Sequence, residues 1–233
     1  QNTLLASKST LATNLKDYFI LFKPKDIVSG DFYWATKKDD CFYLACCDST
    51  GHGVPGAFMS LLNIGFITEA IKEKNILEPG NIFNYVRQRL IETIGNEGQK
   101  DGFDGILIKI NATTKQLSYV AANNNPILIS DGILTHLPHD KMPVGKGEKE
   151  ALFTTHQITY KQGDSIYLYT DGYPDQFGGP KDKKLKYKQL ESLLLENSNL
   201  NTSSQKEKLN VHFENWKGNL EQVDDVCIIG ISF

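Results

Sequence analysis

Phe42-Tyr43-Leu44-Ala45-Cys46-Cys47-Asp48-Ser49-Thr50-Gly51-His52-Gly53-Val54-Pro55-Gly56-Ala57 packs an apolar run, an acid, a glycine-rich turn and a helix start into one short stretch. Its first six residues read as a strand that ends on Asp48. The glycines at 51, 53 and 56 permit positive φ and close approach of backbone to a ligand. Pro55 suits the first turn of a helix. Phe58, Leu61, Leu62, Phe66, Ile67, Ala70 and Ile71 continue that helix at three- and four-residue spacing. A helix N-terminus favours anions, but the Gly-Lys-Ser/Thr ending of a P-loop is absent. The bland reading is a tight strand-to-helix turn in which His52 is structural; the sharper one makes His52 a general acid.

Outward from this stretch the chain is rich in short strands. Tyr18–Phe22 and Phe32–Ala35 precede it, and a weak helical pattern covers residues 4–19. A second helix is predicted at about 80–95, with Ile82, Tyr85, Val86, Leu90 and Ile94 on one face. Strands follow at Phe103–Ile110, Gln116–Val120, Pro126–Ser130, Ile133–His136, Phe153–Thr159 and Ser165–Thr170, divided by turn signals such as Ser130-Asp131-Gly132. Helices near 187–196 and 203–216 and a strand at Val226–Phe233 complete the pattern. Helices grouped early and late around many strands do not make a simple βαβ array. They predict an α+β architecture of stacked antiparallel sheets flanked by helices, in one domain.

The 233 residues are 40% apolar and 23% charged, which excludes long disorder and a disulfide scaffold. No run approaches 18 uninterrupted apolar residues, so no bilayer-spanning segment is predicted. A net charge of −3 argues against a nucleic-acid footprint. Basic residues are lopsided: only Arg87 and Arg89 offer the rigid fork that grips phosphate, so metal ions or lysines would carry that work. Cys41, Cys46, Cys47 and Cys227 form no C-x-x-C pair and read as buried free thiols, which suits a reducing cytoplasm. The start of the sequence lacks a signal-peptide pattern.

Acids placed where strands begin or end carry the chemistry. Asp31 opens a strand, Asp48 and Asp171 close two others, and Asp224 and Asp225 precede the last. Taken alone, each is most simply a cap or turn residue. If they converge, each pair at about 4–5 Å repels by roughly 3–4 kcal/mol at an effective dielectric near 20. Protonation or divalent cations would relieve that. An all-oxygen set favours Mg²⁺ or Mn²⁺ over zinc, and two such ions can share a water and clamp a phosphoryl group. Gly-x-Ser-x-Gly, H-E-x-x-H and His-x-x-x-His patterns are absent.

Six stretches in order resemble one family: Ser29-Gly30-Asp31-Phe32-Tyr33-Trp34, Asp48 through Ser60, Ala122-Asn123-Asn124-Asn125-Pro126, Lys141-Met142-Pro143-Val144-Gly145, Tyr169-Thr170-Asp171-Gly172-Tyr173-Pro174-Asp175-Gln176-Phe177-Gly178-Gly179, and Gln222-Val223-Asp224-Asp225-Val226. The chain resembles the SpoIIE-like bacterial serine/threonine phosphatases of the metal-dependent protein phosphatase (PPM) superfamily over residues 18–233. The resemblance implies a four-layer α-β-β-α sandwich. It also implies hydrolysis of phosphoserine or phosphothreonine by a metal-bound water at a dinuclear Mn²⁺ or Mg²⁺ centre.

By resemblance, Asp48 is the bridging ligand, Ser49 gives its carbonyl, and Asp171 and Asp224 bind the second ion. Asp31 ligates or orients water, and Asp225 is the lesser of its pair. Asn123 to Asn125 stand where other branches carry an acid linked to a third metal. The phosphate-binding arginine of eukaryotic relatives has no counterpart, leaving Lys23, Lys25 and His52 as candidates. Residues 1–17 resemble the end of a connector helix from an upstream sensor or repeat domain in cis, whose shift would regulate the enzyme. The implied substrate is a phosphorylated anti-sigma-factor antagonist. The implied location is cytoplasmic, with tethering to a membrane sensor in the full-length protein, and the resemblance leaves room for a homodimer. Two rival readings are a non-catalytic signalling module that keeps the fold, and a metal-dependent phosphodiesterase or nuclease.

Overall fold

The computed structural model describes residues 5–94, 101–149 and 151–233. Its elements in chain order are α1 (Lys8–Asn14), β1 (Asp17–Lys23), β2 (Asp31–Lys38), β3 (Cys41–Ser49), α2 (Gly53–Thr68, continued by a π turn at Glu69–Glu73), α3 (Pro79–Ile94), β4 (Gly102–Asn111), β5 (Gln116–Ala122), β6 (Ile127–Ser130), β7 (Ile133–His136), β8 (Val144–Gly145), β9 (His156–Thr159), β10 (Ser165–Tyr169), α4 (Gly172–Asp175), β11 (Phe177–Gly178), β12 (Lys183–Lys184), α5 (Tyr187–Asn197), α6 (Thr202–Lys217) and β13 (Val226–Ser232).

Two antiparallel sheets form the centre. One runs β1-β13-β10-β6-β7 and the other β2-β3-β4-β5-β9, with β8 on β4. The period-two alternation of each strand divides its side chains between two cores. In β3, Phe42, Leu44 and Cys46 face the opposing sheet together with Ile106, Ile108, Leu168 and Ile229. Tyr43, Ala45 and Cys47 face α2 and α3, against Ile67, Ile71, Phe83 and Val86. On the far side Tyr167, Tyr169 and Ile228 pack on Leu190, Leu209 and Phe213 of α5 and α6. Three cores between four layers make the α-β-β-α sandwich.

Several expectations change at their edges. The helical pattern over 4–19 reduces to the seven residues of α1, and Asp17–Lys23 is strand. Within the described residues, Ala6, Leu11 and Leu15 of this segment join the inter-sheet core. Phe153–Thr159 narrows to β9, because Phe153 turns away to stack edge-on against Phe83. Gly53–Glu73, 21 residues, is long and apolar enough to cross a membrane by length and composition alone. Scattered polar residues do not lower its average enough, and its apolarity is used against the six-stranded sheet. The four cysteines are free thiols, and Cys46, Cys47 and Cys227 are buried.

Candidate metal centre

Strand register builds the site. β2 and β3 pair Asp31 with Asp48, and β3 and β4 pair Asp48 with Asp104. Directly opposed residues in antiparallel strands lie about 4.5–5.5 Å apart at Cα. Asp48 and Asp104 share the face of Phe42, Leu44, Cys46 and Ile106, and Asp31 shares that of Tyr33, so three acids form one row at the end of the inter-sheet space. The other sheet brings Asp171 from the end of β10 and Asp224 from the approach to β13.

Thr170 and Gly172 hold those two ends together. The Thr170 amide donates to Cys227 O (3.0 Å) and its Oγ1 accepts from Cys227 N (2.9 Å). A Cβ on Gly172 would stand 1.9 Å from the carbonyl oxygen of Asp225, so only glycine permits this approach. Thr170 Oγ1 also donates to Asp31 Oδ2 at 2.6 Å, linking the two sheets at the site.

Asp225 has a separate task. Its Oδ1 accepts from Lys25 N and its Oδ2 from Gly30 N, both at 2.8 Å. Both oxygens therefore anchor the β1–β2 loop that delivers Asp31. Asp224 instead lines a cleft of about 220 Å³ with Asp48, Ser49, Thr50, Gly51, His52 and Asp104.

The loop after Asp48 is fixed from three sides. Ser49 Oγ accepts from Asn63 Nδ2 of α2 (3.0 Å), and the Thr50 amide donates to Gly102 O (2.9 Å). The Gly51 carbonyl is wedged between Gly30 and Gly56, where added Cβ atoms would lie 2.4 and 2.0 Å from its oxygen. His52 caps α2 by position without a side-chain cap bond. Its Nδ1 stands 3.6 Å from Asp26 Oδ2.

Burial, and for Asp31, Asp48 and Asp171 the neighbouring carboxylates as well, raise the pKa of four of these acids. Asp48 is pushed up to about 8, by burial first and then by Asp171, Asp224 and Asp104, with a hydrogen bond from Asp31 opposing. Asp171 rises to about 6 through burial, Asp224, Asp175 and Asp104, against the pull of Lys184. Burial, then Asp48, hold Asp31 well above the usual carboxylate range. Burial also raises Asp104, while Asn123 Nδ2 donates to its Oδ1 at 2.8 Å and lowers it.

Such a set of hard oxygen donors suits Mg²⁺ or Mn²⁺. Among the described residues no three His, Cys, Asp or Glu side chains close into a ready-made cage.

The sequence reading placed Asp31, Asp48, Ser49, Asp171 and Asp224 here, and all five meet at this end of the sandwich. Asp104 was missed. Its one signal was an acid between Gly102-Phe103 and Gly105 ahead of an apolar run. Of the basic candidates, His52 lines the cleft and Lys23 does not. Lys23 Nζ bonds Asn210 Oδ1 (2.8 Å) and Glu214 (2.5 Å) on α6. Lys25 contributes its backbone amide to Asp225.

A four-layer sandwich with acids gathered where its two sheets end defines a PP2C-type protein serine/threonine phosphatase. The chain belongs to the SpoIIE family: the family model described as stage II sporulation protein E (SpoIIE) matches residues 38–233. Among solved structures it is similar to the SiaA-PP2C domain of Pseudomonas aeruginosa, at 26% identity and a TM-score of 0.91, covering 100% of this chain and 92% of that one. The PP2C phosphatase domain of SpoIIE from Bacillus subtilis, solved with a fragment of its regulatory domain, shares the fold at 15% identity and a TM-score of 0.75, covering 93% and 63%. RsbX, solved in complex with magnesium, does so at 18% identity and a TM-score of 0.60, covering 93% and 94%. No curated protein matches.

Proposed function

We propose that this phosphatase hydrolyses phosphoserine or phosphothreonine on a signalling protein at the cleft lined by Asp48, Asp104 and Asp224, with Asp171 close by, using two Mn²⁺ or Mg²⁺ ions. The observation that carries the reading is the row Asp31-Asp48-Asp104 facing Asp171 and Asp224 from the other sheet. Asp48 would hold both ions, Ser49 would add its carbonyl, and Asp171 and Asp224 would complete the second. Bound there, the ions supply Lewis-acid stabilisation of phosphoryl oxygens and a water of lowered pKa. Asp31, buried and hydrogen-bonded by Thr170, would serve as a further ligand or orient water. Asp225 holds the loop that positions Asp31. The magnesium bound to RsbX supports the choice of a hard ion.

The implied substrate class, a phosphorylated anti-sigma-factor antagonist, rests on the family resemblance. Segment 5–15 packs on the body of the sandwich and is the proposed route for an upstream input. The test is metal-dependent turnover of a phosphoserine and phosphothreonine peptide panel and of p-nitrophenyl phosphate, with Asp48→Ala and Asp171→Ala. Both variants should lose at least about a thousandfold in kcat and keep their circular dichroism. Unchanged manganese-dependent turnover in both would reject the reading. Metal binding without turnover in the wild type would favour the non-catalytic module.

A further inference from the structure

Asp175-Gln176-Phe177-Gly178-Gly179 supplies none of the acids placed at the centre, yet it is held firmly beside it. Gln176 is fully buried; its Nε2 donates to Glu221 O and its Oε1 accepts from Val223 N, which fixes the approach to Asp224. Its carbonyl accepts from Trp216 Nε1 and from Leu185 N. Gly178 and Gly179 lie flush on Trp216, where Cβ atoms would meet its carbonyl oxygen at 1.8 Å and its ring at 2.8 Å. The β11–β12 hairpin is thus fixed at its base, and its register places Lys184 opposite Phe177.

The segment after the hairpin turn is Lys181-Asp182-Lys183-Lys184-Leu185-Lys186-Tyr187-Lys188, whose lysines are all exposed. Lys184 differs from the others. Its Nζ stands 2.8 Å from Asp175 Oδ2, and Asp175 is one turn beyond Asp171, its amide donating to Asp171 O at 2.9 Å. Tyr187, three residues on, lies with its ring centroid 6.2 Å from that of Tyr169, two residues before Asp171, so this segment runs beside the end of β10.

We propose that Lys184 is a phosphoryl-binding residue of the site, donating from Nζ to a non-bridging oxygen of the phosphate group after leaving Asp175. The inference deepens the reading of the cleft as a phosphatase centre and rests on it. The geometry gives the reason. A dianionic group entering an acid-rich cleft gains from a cation at its edge, and Arg87 and Arg89 are both on α3. An exposed lysine on a fixed hairpin moves its ammonium by side-chain rotation alone. Asp175 holds it in wait, so the exchange is one ion pair for another. The neighbouring lysines at 181, 183, 186 and 188 lack this contact and serve as internal controls.

The test uses the whole chain with Mg²⁺ or Mn²⁺ and reads inorganic phosphate binding by calorimetry beside p-nitrophenyl phosphate kinetics. Lys184→Gln should weaken phosphate binding and raise KM for p-nitrophenyl phosphate by roughly tenfold each, the scale of one charge-assisted hydrogen bond. Lys184→Arg should recover most of both, and Lys183→Gln should change neither. Equal phosphate affinity in Lys184→Gln and wild type would overturn the assignment. So would an effect confined to phosphopeptides with acidic flanks, which would make the segment a docking strip instead. Phosphate binding is measured without turnover, so an inactive wild type would refute the phosphatase reading and still leave the Lys184 comparison decisive.

Discussion

Neutralising Asp48 should have opposite effects on the metal-free and the metal-loaded protein. In Asp48→Asn the shape is kept and one charge is removed from beside Asp171, Asp224 and Asp104. The rise of Asp48 from 3.8 to about 8 sets an upper bound of about 6 kcal/mol on the cost of its charge. Because the side chain borders an open cleft, screening reduces this to roughly 2 kcal/mol.

The sign follows from linkage. The folded value lies above the unfolded one, so the associated stability is complete below about pH 4 and is lost as pH rises through about 8. Asp171 adds a smaller loss centred near 6. In chelator, the wild type should therefore weaken between pH 4 and 8.5, and Asp48→Asn should weaken less. At pH 8.5 the variant should melt about 4–8 °C higher, from about 2–4 °C per kcal/mol for a chain of this size.

Saturating Mn²⁺ should then reverse the order. At a hundredfold excess over Kd the wild type gains about 2.7 kcal/mol, whereas the variant gains little and loses turnover. The assay is thermal or urea unfolding at pH 5 and 8.5, with chelator and with Mn²⁺. A metal-free variant less stable than wild type at pH 8.5, or one stabilised by Mn²⁺ as strongly as wild type, would refute the argument.

Other substitutions separate the scaffold from the ligands. Asp225→Ala leaves the amides of Lys25 and Gly30 without acceptors and should cost about 2–4 kcal/mol, with a large fall in kcat because Asp31 loses its loop; denaturant midpoints and kinetics would check this. Gly56→Ala drives a methyl into the Gly51 carbonyl and should destabilise the chain by at least about 3 kcal/mol, read as a lowered melting temperature. Gln176→Ala should cost about 2–3 kcal/mol and weaken Mn²⁺ binding by calorimetry, since Val223 and hence Asp224 lose their anchor. Asp104→Asn should lower Mn²⁺ affinity less than Asp48→Asn does, because Asn123 already offsets part of its charge.

The layers were legible because alternation in runs such as Phe42–Cys47 records which face each side chain takes. The acids at strand ends were legible for the same reason: each interrupts an apolar run. Asp104 escaped because it lies inside β4 and gains its meaning from register with Asp48, which pairing across 56 positions of sequence decides. Lys23 looked like a loop cation. Its partners Asn210 and Glu214 are supplied by a helix almost the length of the chain away, a contact that no local pattern encodes. The β11–β12 hairpin was hidden by its brevity and by lysines that read as solvated. The boundary of α1 failed because Leu11 and Leu15 are buried by a core spaced for strands, although Leu15 already has extended backbone.

β13 is the last strand of these elements, yet it lies between β1 and β10 and its approach carries Asp224 and Asp225. Without it, β1 has no partner in the sheet and β10 keeps only β6. A nascent chain lacking it has neither a closed sheet nor a complete set of acids. A chain cut before this segment would therefore lose the strand that joins β1 to β10 together with Asp224.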